Sequence, residues 1–359
     1  MEIVYKDIIN RVTSINVLDY AKNRNFIDGD VTKLSMYISR GMISTKLILE
    51  SLLNRNINPI KIEKFIQELA WRDYWQIVWR FKNINTEIKQ RQLNVVSYGV
   101  PECIIKAKTG VTAVDQAIAK LYSDGYMHNH IRMYIASIVC NIAKCHWKIP
   151  AKWFYYHLSD GDWGSNALSW QWVCGINSSK KYYANQENIN KFCGTNQKNT
   201  FLDNDYVTLN NNEVPEILTK THSPLLQEFN LKKETLCIDV SKPSLIYNYY
   251  NIDPEWRKEL DANKVLLIEP STFKNYPVSQ KNIELLILLS KNIKGIQVFF
   301  GEYGELKKIL KESKLYFKEH PLNMNYVGYC DSRDWIFSSQ NYYPSFFKFW
   351  NNYKQEINL

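Results

Sequence analysis

Apolar side chains recur with a helical period over most of the first 200 residues. Ile48, Leu49, Leu52 and Leu53 share one helical face, and the period continues over residues 61–81. Further helices are predicted over 114–122 and 131–147, and another is predicted to begin near Pro150. Residues 131–147 are apolar on nearly all sides, which predicts a central position. The pattern therefore predicts a mostly α-helical bundle over residues 1–200.

The pattern changes after residue 200. Residues 201–234 are polar and lack a period, which predicts a linker. Over residues 235–325, short apolar runs alternate with helical patterns, and this alternation predicts a small C-terminal α/β domain with a parallel sheet. The runs lie at 235–240, 265–268 and 296–300, and the helical patterns at 280–291 and 305–313.

Aromatic side chains are concentrated at the C-terminus, in residues 326–359. Such residues either pack a terminal segment onto a core or form a binding platform, and packing is the commoner outcome. We therefore predict an aromatic tail that packs on a core.

Positive charge is concentrated in the first part of the chain. The 359 residues include 45 Lys and Arg and 36 Asp and Glu, a net charge of +9. Residues 1–200 hold 26 of the basic and 16 of the acidic side chains, and the remainder holds 19 and 20. This excess is expected if the first part meets a polyanion, although a generic basic surface has the same composition.

Cysteine usage and hydropathy limit the class of protein. The seven cysteines form no CxxC pair, and their odd number and irregular spacing indicate a reducing compartment without a metal site. No run of about 18 apolar residues occurs, so we predict no membrane span. The N-terminus has no apolar signal core, and we expect a cytoplasmic protein.

Residues 160–172 (DGDWGSNALSWQW) carry the densest chemistry of the chain, with two acids, an asparagine and three tryptophans. Upstream, residues 126–133 (YMHNHIRM) place Asn129, Arg132 and Met133 at helical spacings. Arg132 is a suitable partner for a buried carboxylate. Together these segments predict a polar slot with aromatic walls, suited to a large planar cofactor and to stacked bases.

Residues 20–183 resemble the FAD-binding domain of the DNA photolyase/cryptochrome family. The matching segments occur in the family's order: YAKNR with VTKLS (20–35), ELAWRD (68–73), KTGVTAVD (108–115), and the two segments above. The resemblance implies a helical FAD-binding bundle, with FAD as cofactor and damaged DNA as partner. Because the sequence begins within the helical region, we expect it to lack the family's usual N-terminal antenna domain. The sequence identifies no antenna chromophore.

The resemblance also implies a set of cofactor-binding residues. Small hydroxyls and backbone amides at a helix start would hold the FAD diphosphate. Arg132 would pair with Asp160 beside the flavin ring, and Asn166 would face flavin N5. The complete implied set is Tyr20, Thr32, Lys33, Leu34, Ser35, Phe65, Arg72, Arg132, Asp160, Asp162 and Asn166. Val31 and Ala167 depart from the family pattern.

A second implied set acts on the substrate. Glu68 would bond a base edge and Trp71 would stack on the base, as a site for an extruded nucleotide requires. Trp170 and Trp147 match the inner and middle members of the family's electron-transfer tryptophans. The implied DNA-binding residues are Arg24, Glu68, Trp71, Tyr126, Asn129, His130 and Trp172, and the implied catalytic residues are Glu68, Asn129, Met133, Trp147 and Trp170.

Two functions follow from the resemblance. The first is an enzyme, a photolyase-like lyase that repairs cyclobutane pyrimidine dimers by blue-light-driven electron transfer from reduced flavin; the retained pocket residues favour it. The second is a cryptochrome-like photoreceptor that binds FAD without repair. His130, which replaces an arginine of the dimer-repair enzymes, and the C-terminal position of the α/β segment favour the photoreceptor.

Overall fold

The computed structural model describes residues 2–359, and the chain divides there into two compact units. The first unit contains residues 2–18, Thr32–Arg80 and Gln227–Leu359, and the second contains Asp19–Val31 and Phe81–Leu226. The first unit joins both ends of the chain because its N-terminal helix bonds to its α/β part: the Tyr5 N–H donates to Asn292 Oδ1 at 2.8 Å. The predicted domains 1–200, 201–234, 235–325 and 326–359 divide the chain differently, and they remain a prediction.

The second unit is almost entirely helical. Its helices are Tyr20–Asn23, Glu102–Ile105, Thr112–Asp124, Asn129–Ser137, Ile138–Ile142 (a π-helix), Lys148–His157, Trp163–Val173, Gln186–Cys193, Tyr206–Asn211 and Glu216–Thr219. Strands β1 (Val100–Pro101) and β2 (Thr221–His222) pair antiparallel. The predicted central segment is confirmed as buried, although the helical run stops at Ile142 and a separate helix begins at Lys148. The predicted linker includes two of these helices and strand β2.

Side-chain and glycine caps set several of these helix ends. Asp162 precedes Trp163–Val173, and its Oδ1 accepts a hydrogen bond from the Ser165 N–H at 2.6 Å. Gly125 ends Thr112–Asp124 with φ 70°, a conformation that costs glycine little. These local signals place residues 126–128 and 160–162 directly before helices.

The first unit contains helices and a parallel sheet. The helices are Tyr5–Ser14, Ser35–Ser39, Thr45–Leu53, Pro59–Ile62 (3-10), Glu63–Phe81, Pro270–Asn275, Gln280–Ser290, Tyr303–Leu310, Pro321–Asn323 (3-10), Phe346–Tyr353 and Lys354–Ile357 (3-10). Among the helices of residues 2–359, none combines the length and apolar character that crossing a bilayer requires.

The described part of the first unit forms one sheet of five strands, all parallel. The strands are β3 (Ser244–Tyr247), β4 (Asn263–Ile268), β5 (Ile296–Phe300), β6 (Leu315–Lys318) and β7 (Tyr329–Asp331). Their spatial order is β5-β4-β3-β6-β7. The predicted parallel sheet is therefore confirmed. From β3 the chain continues to β4 and then to β5 at one edge of the sheet. It then returns to the other side of β3, where it forms β6 and β7. This is the strand order of a doubly wound fold.

The prediction of a strand at one of the apolar runs is wrong. Residues 235–240 do not form a strand, although Leu236 and Ile238 pack against the sheet core. The reason is that the backbone of this run bonds to a side chain instead of to a neighbouring strand. The Gln297 amide, on the edge strand β5, accepts from the Cys237 N–H at 2.7 Å and donates to the Cys237 carbonyl at 2.9 Å. The first strand of the parallel sheet is β3 (Ser244–Tyr247), which lies beyond the predicted run.

The aromatic tail packs on a core, as predicted. Helix Phe346–Tyr353 buries Phe346, Phe349, Trp350 and Tyr353. The Phe349 ring lies 5.5 Å from that of Tyr74, which belongs to the long helix Glu63–Phe81. The tail therefore forms part of the hydrophobic core of the first unit.

Asp73 is a fully buried acid that joins three segments of the first unit. Its Oδ1 accepts from Thr45 Oγ1 at 2.9 Å, and its Oδ2 accepts from the Ile336 N–H at 3.0 Å. Burial raises the pKa of Asp73 to about 6, although the nearby Arg333 charge and both hydrogen bonds act in the opposite direction. Ionised Asp73 is therefore less stable in the folded chain than in the unfolded chain.

We predict that Asp73→Asn removes a pH dependence of stability. Because the folded pKa lies above the unfolded value, the folded state binds more protons between about pH 4 and 6, and its stability falls as pH rises through that window. The loss is on the order of 2–3 kcal/mol, since each pKa unit corresponds to about 1.4 kcal/mol. An amide can accept from the Ile336 N–H and donate to Thr45. Urea unfolding at pH 4.5, 5.5 and 7 measures the slope, with exposed Asp28→Asn as the control. An unchanged slope in Asp73→Asn would contradict the assignment.

Candidate functional site

An ion pair between Arg132 and Asp160 is the centre of the polar cluster in the second unit. Arg132 Nη2 lies 3.0 and 2.8 Å from the two carboxylate oxygens of Asp160, and its Nε donates to the Met127 carbonyl at 2.8 Å. The Asp160 side chain is 4% exposed and that of Arg132 is 21% exposed. The structure therefore brings together the two residues that the sequence predicts as a pair.

Asp162 and Asn166 lie next to this pair in the sequence but are held by other contacts. Asp162 is buried and caps its helix through Ser165. Asn166, on the first turn of the helix, donates its Nδ2 to the Ala151 carbonyl at 2.9 Å. These bonds orient both side chains, so each polar group that the sequence predicts for the flavin edge has a defined position in the second unit.

Helix Asn129–Ser137 carries two further predicted site residues, and their side chains differ in solvent exposure. Asn129 is exposed and Met133 is half-buried. Tyr126 lies beside Arg132, whose guanidinium carbon is 5.7 Å from its ring centroid. Burial raises the pKa of Tyr126, which keeps its hydroxyl protonated.

His130, predicted to contact DNA, is buried in the structure. Its Nδ1 lies 2.9 Å from the Asn25 carbonyl oxygen, and its ring meets that of Phe192 edge-on at 4.7 Å. Burial lowers the pKa of His130, so the ring is neutral near pH 7. Neighbouring His128 has a capping role that sequence reasoning missed: its Nδ1 accepts from the His130 N–H at 3.2 Å. Its position directly before a helix was the available signal.

The predicted tryptophans differ in environment. Trp147 is fully buried, and its Nε1 has no hydrogen-bond partner within residues 2–359. Trp170 is also buried and meets Phe154 at 6.0 Å. Trp172 is half-buried, with its ring 6.1 Å from that of Tyr182. A role for Trp147 and Trp170 in electron transfer stays a prediction.

Tyr20 and Arg24 belong to the second unit, on and just after the short helix Tyr20–Asn23. The Arg24 guanidinium carbon lies 5.9 Å from the Tyr20 ring centroid. Both side chains are half-buried.

The predicted diphosphate residues lie in the first unit, before and at the start of helix Ser35–Ser39. Lys33 has φ 54°, a left-handed conformation that is uncommon for a residue with a side chain. Thr32 accepts from Arg11 Nε at 3.0 Å through its carbonyl, and its Oγ1 accepts from the Leu34 N–H at 3.4 Å. Leu34 is fully buried. Strain at a predicted ligand loop supports a functional hypothesis for these residues.

Helix Glu63–Phe81 carries the other predicted residues of the first unit. Phe65 is buried, and Arg72 Nη1 contacts Ser39 Oγ at 3.4 Å. Glu68 is about one-third exposed and lies 3.4 Å from Lys64 Nζ, so the structure pairs it with Lys64 one turn earlier. An exposed pair of this kind contributes little to stability.

Trp71, the predicted base-stacking residue, already has an aromatic neighbour. Phe346 of the C-terminal tail stacks on its ring with centroids 3.8 Å apart and planes 11° apart. Trp75 lies 4.7 Å away at a tilt. Sequence reasoning identified the tail as aromatic but could not find this partner, because the two residues are 275 positions apart and no local pattern links them.

Residues 65–230 match the family described as "FAD binding domain of DNA photolyase". This segment is therefore similar to the FAD-binding domain of the photolyase/cryptochrome family. The match begins in helix Glu63–Phe81 and includes Glu68, Trp71, Arg132 and residues 160–172.

Similar proteins have been described as photolyases. A deoxyribodipyrimidine photo-lyase of Neurospora crassa is 30% identical over 179 residues, which cover 46% of this chain and 29% of the relative. One of Alkalihalophilus pseudofirmus is 31% identical over 172 residues, covering 46% of this chain and 36% of the relative. Among solved structures, a bacterial class III photolyase from Agrobacterium tumefaciens has a TM-score of 0.47 and 26% identity, covering 53% of this chain and 42% of that one. The matches thus span about a third of the length of the curated relatives.

We predict a strong coupling between Arg132 and Asp160. Removing one charge leaves the other buried without its partner, so Arg132→Met and Asp160→Asn should each destabilise the chain by about 2–4 kcal/mol, and the double variant by less than the sum. Urea unfolding of the four proteins measures the coupling energy. The exposed pair Lys258–Glu255, 2.6 Å apart, is the matched control, with an expected coupling below about 1 kcal/mol. Equal coupling in the two cycles would contradict a central role for the buried pair.

Proposed function

We propose that this chain binds FAD and uses it to repair pyrimidine dimers in DNA under blue light. The observation that carries the proposal is the buried Arg132–Asp160 pair within residues that match the family's FAD-binding domain. A pair of this kind is costly to bury and weak as a source of stability, so its presence favours a role in binding.

The chemistry of the available groups fits FAD. Arg132 and the Asn166 amide provide donors for the carbonyl oxygens and nitrogens of a flavin ring, and Asp160 keeps the guanidinium in place. Considered by itself, the first unit has a hydroxyl at Thr32 and a strained backbone at Lys33, the kinds of group that hold phosphate. When bound, FAD supplies light-driven one-electron transfer, and the protein supplies position and electrostatics.

The residues of helix Glu63–Phe81 would hold the base of an extruded dimer. Glu68 offers a carboxylate acceptor for a base N–H, and Trp71 offers an aromatic ring for stacking. Stacking of one base on an aromatic side chain is worth about 1–3 kcal/mol, and extrusion costs a few kcal/mol, so several contacts are needed. The excess of basic residues in 1–200 would bind DNA phosphates, and affinity should fall steeply with salt.

We predict that purified protein shows flavin absorbance and repairs an irradiated thymine oligonucleotide in blue light. We also predict that Trp71→Ala weakens binding of the dimer about tenfold. Loss of base stacking is the physical reason. Binding is measured by fluorescence anisotropy and repair by recovery of absorbance at 260 nm. Trp256→Phe, a buried tryptophan of the same unit beside Tyr247, is the control. Flavin absorbance without repair would instead support the cryptochrome-like photoreceptor, and absence of flavin would exclude both functions.

We also predict that Phe346 acts as a positioning residue for Trp71. Phe346→Leu removes the flat stacked ring while keeping a buried apolar side chain, and it should weaken dimer binding about threefold to tenfold without lowering the rate of repair at saturating DNA. The matched control is Phe347→Leu, because Phe347 is the next residue and is exposed. Tighter binding by Phe346→Leu would show instead that the ring competes with the base.

A further inference from the structure

The strand order of the C-terminal sheet creates a crevice that the proposed function does not use. The chain leaves β3 toward β4 on one side, whereas β6 and β7 lie on the other side. The loops that follow β3 and β6 therefore diverge at the carboxyl ends of these adjacent strands. In doubly wound sheets, ligands bind at this switch point.

A small cavity lies at that point, wholly within the first unit. Its volume is about 40 Å³, and its walls include Asn248 and Asn251 after β3, His320 after β6, and Arg333 after β7. A single water needs roughly 10–15 Å³ by the same measure, so the cavity has room for about three waters or for one small polyatomic ion.

Gly41 limits the size of the cavity. Its φ is 59°, and a Cβ atom there would lie 2.2 Å from the Tyr250 carbonyl oxygen. Only glycine tolerates this approach, which brings the segment before Thr45 over the crevice. A dinucleotide therefore does not fit, and the ligand must be small.

Two buried donors of the wall lack partners. His320 Nδ1 accepts from the Leu322 N–H at 3.2 Å, so a neutral ring carries its proton on Nε2. Asn251 Oδ1 accepts from the Asp253 N–H at 3.4 Å, which leaves Nδ2 as the donor. His320 Nε2 and Asn251 Nδ2 are both buried without a hydrogen-bond partner in the described chain, and such groups are costly unless a bound molecule satisfies them.

The wall also contains Arg333, a cation without a direct ion pair, although its charge acts on the nearby buried Asp73. The Arg333 guanidinium forms no ion pair with any residue of 2–359 and lies 5.1 Å from the Trp335 ring centroid. Lys318, by contrast, pairs with Asp253 at 2.9 Å and with Asp334 at 3.1 Å. Glu319 is likewise paired, with Arg80 at 3.3 Å. Arg333 is therefore the cation of the cavity wall that lacks a direct ion-pair partner.

We propose that this cavity binds a small oxyanion, the size of phosphate or a short carboxylate, through His320 Nε2, Asn251 Nδ2 and the Arg333 guanidinium. All three groups are donors, so the ligand must present acceptor oxygens. The Arg333 charge favours an anion over a neutral molecule. Ordered waters are the competing occupant, because they satisfy the two neutral donors but bring no negative charge to Arg333.

The test is a titration of the full-length protein with inorganic phosphate and, separately, with acetate, at ionic strength held constant with sodium chloride. Isothermal calorimetry and thermal unfolding report binding. One of the two anions should bind saturably and raise the unfolding temperature. Asn251→Asp replaces a donor by a repelling carboxylate, and Arg333→Gln removes the charge, so each should weaken binding at least tenfold. Lys307→Gln is the matched control, because it removes an exposed positive charge of the same unit outside the cavity.

Two results would overturn the proposal. The first is the absence of saturable binding of either anion up to 20 mM, which would mean that water fills the cavity. The second is binding by both cavity variants as tight as that of Lys307→Gln, which would place the anion on the general basic surface. Circular dichroism checks the fold of each variant, and Arg333→Gln, a change at a half-exposed residue, carries the test by itself if Asn251→Asp fails to fold.

Discussion

The Arg132–Asp160 pair is the interaction on which the candidate site depends. Its two charges are close together and largely removed from water, so each requires the other. The Met127 carbonyl holds the guanidinium from a second direction, and His128 caps the helix that carries Arg132. The geometry of the pair is therefore set by backbone on one side and by a helix end on the other. This explains how the charged pair keeps one arrangement within the helical unit.

The two acids of residues 160–162 illustrate how one motif serves two physical purposes. Asp160 neutralises a cation, whereas Asp162 accepts a backbone amide and stabilises the start of helix Trp163–Val173. Asn166 then projects from the first turn of that helix. Asp162 caps the helix that carries Asn166 and Trp170. A substitution at Asp162 would therefore affect the positions of both residues through the start of that helix.

Local sequence patterns predicted the helices and strands better than the contacts between distant segments. The run 296–300 is strand β5, and the pattern at 280–291 is helix Gln280–Ser290, because periodicity is a local property of the chain. The Arg132–Asp160 pair was predicted through resemblance to a family. The pairing of Trp71 with Phe346, the burial of His130 and the loss of the strand at 235–240 depend on contacts between distant segments, and no local pattern encodes them. The cavity at the switch point was missed for the same reason.

The long helix Glu63–Phe81 shows why the family match and the physical unit differ. The match ends at residue 230, yet three residues of this helix are held by the chain beyond it. Asp73 accepts from the Ile336 N–H, Tyr74 donates to the Tyr343 carbonyl at 3.0 Å, and Trp71 stacks on Phe346. A fragment limited to residues 65–230 would leave a buried acid and several aromatic rings without these partners. Trp71, a predicted base-binding residue, is thus positioned by the C-terminal tail, and its environment is a property of residues beyond the matched segment.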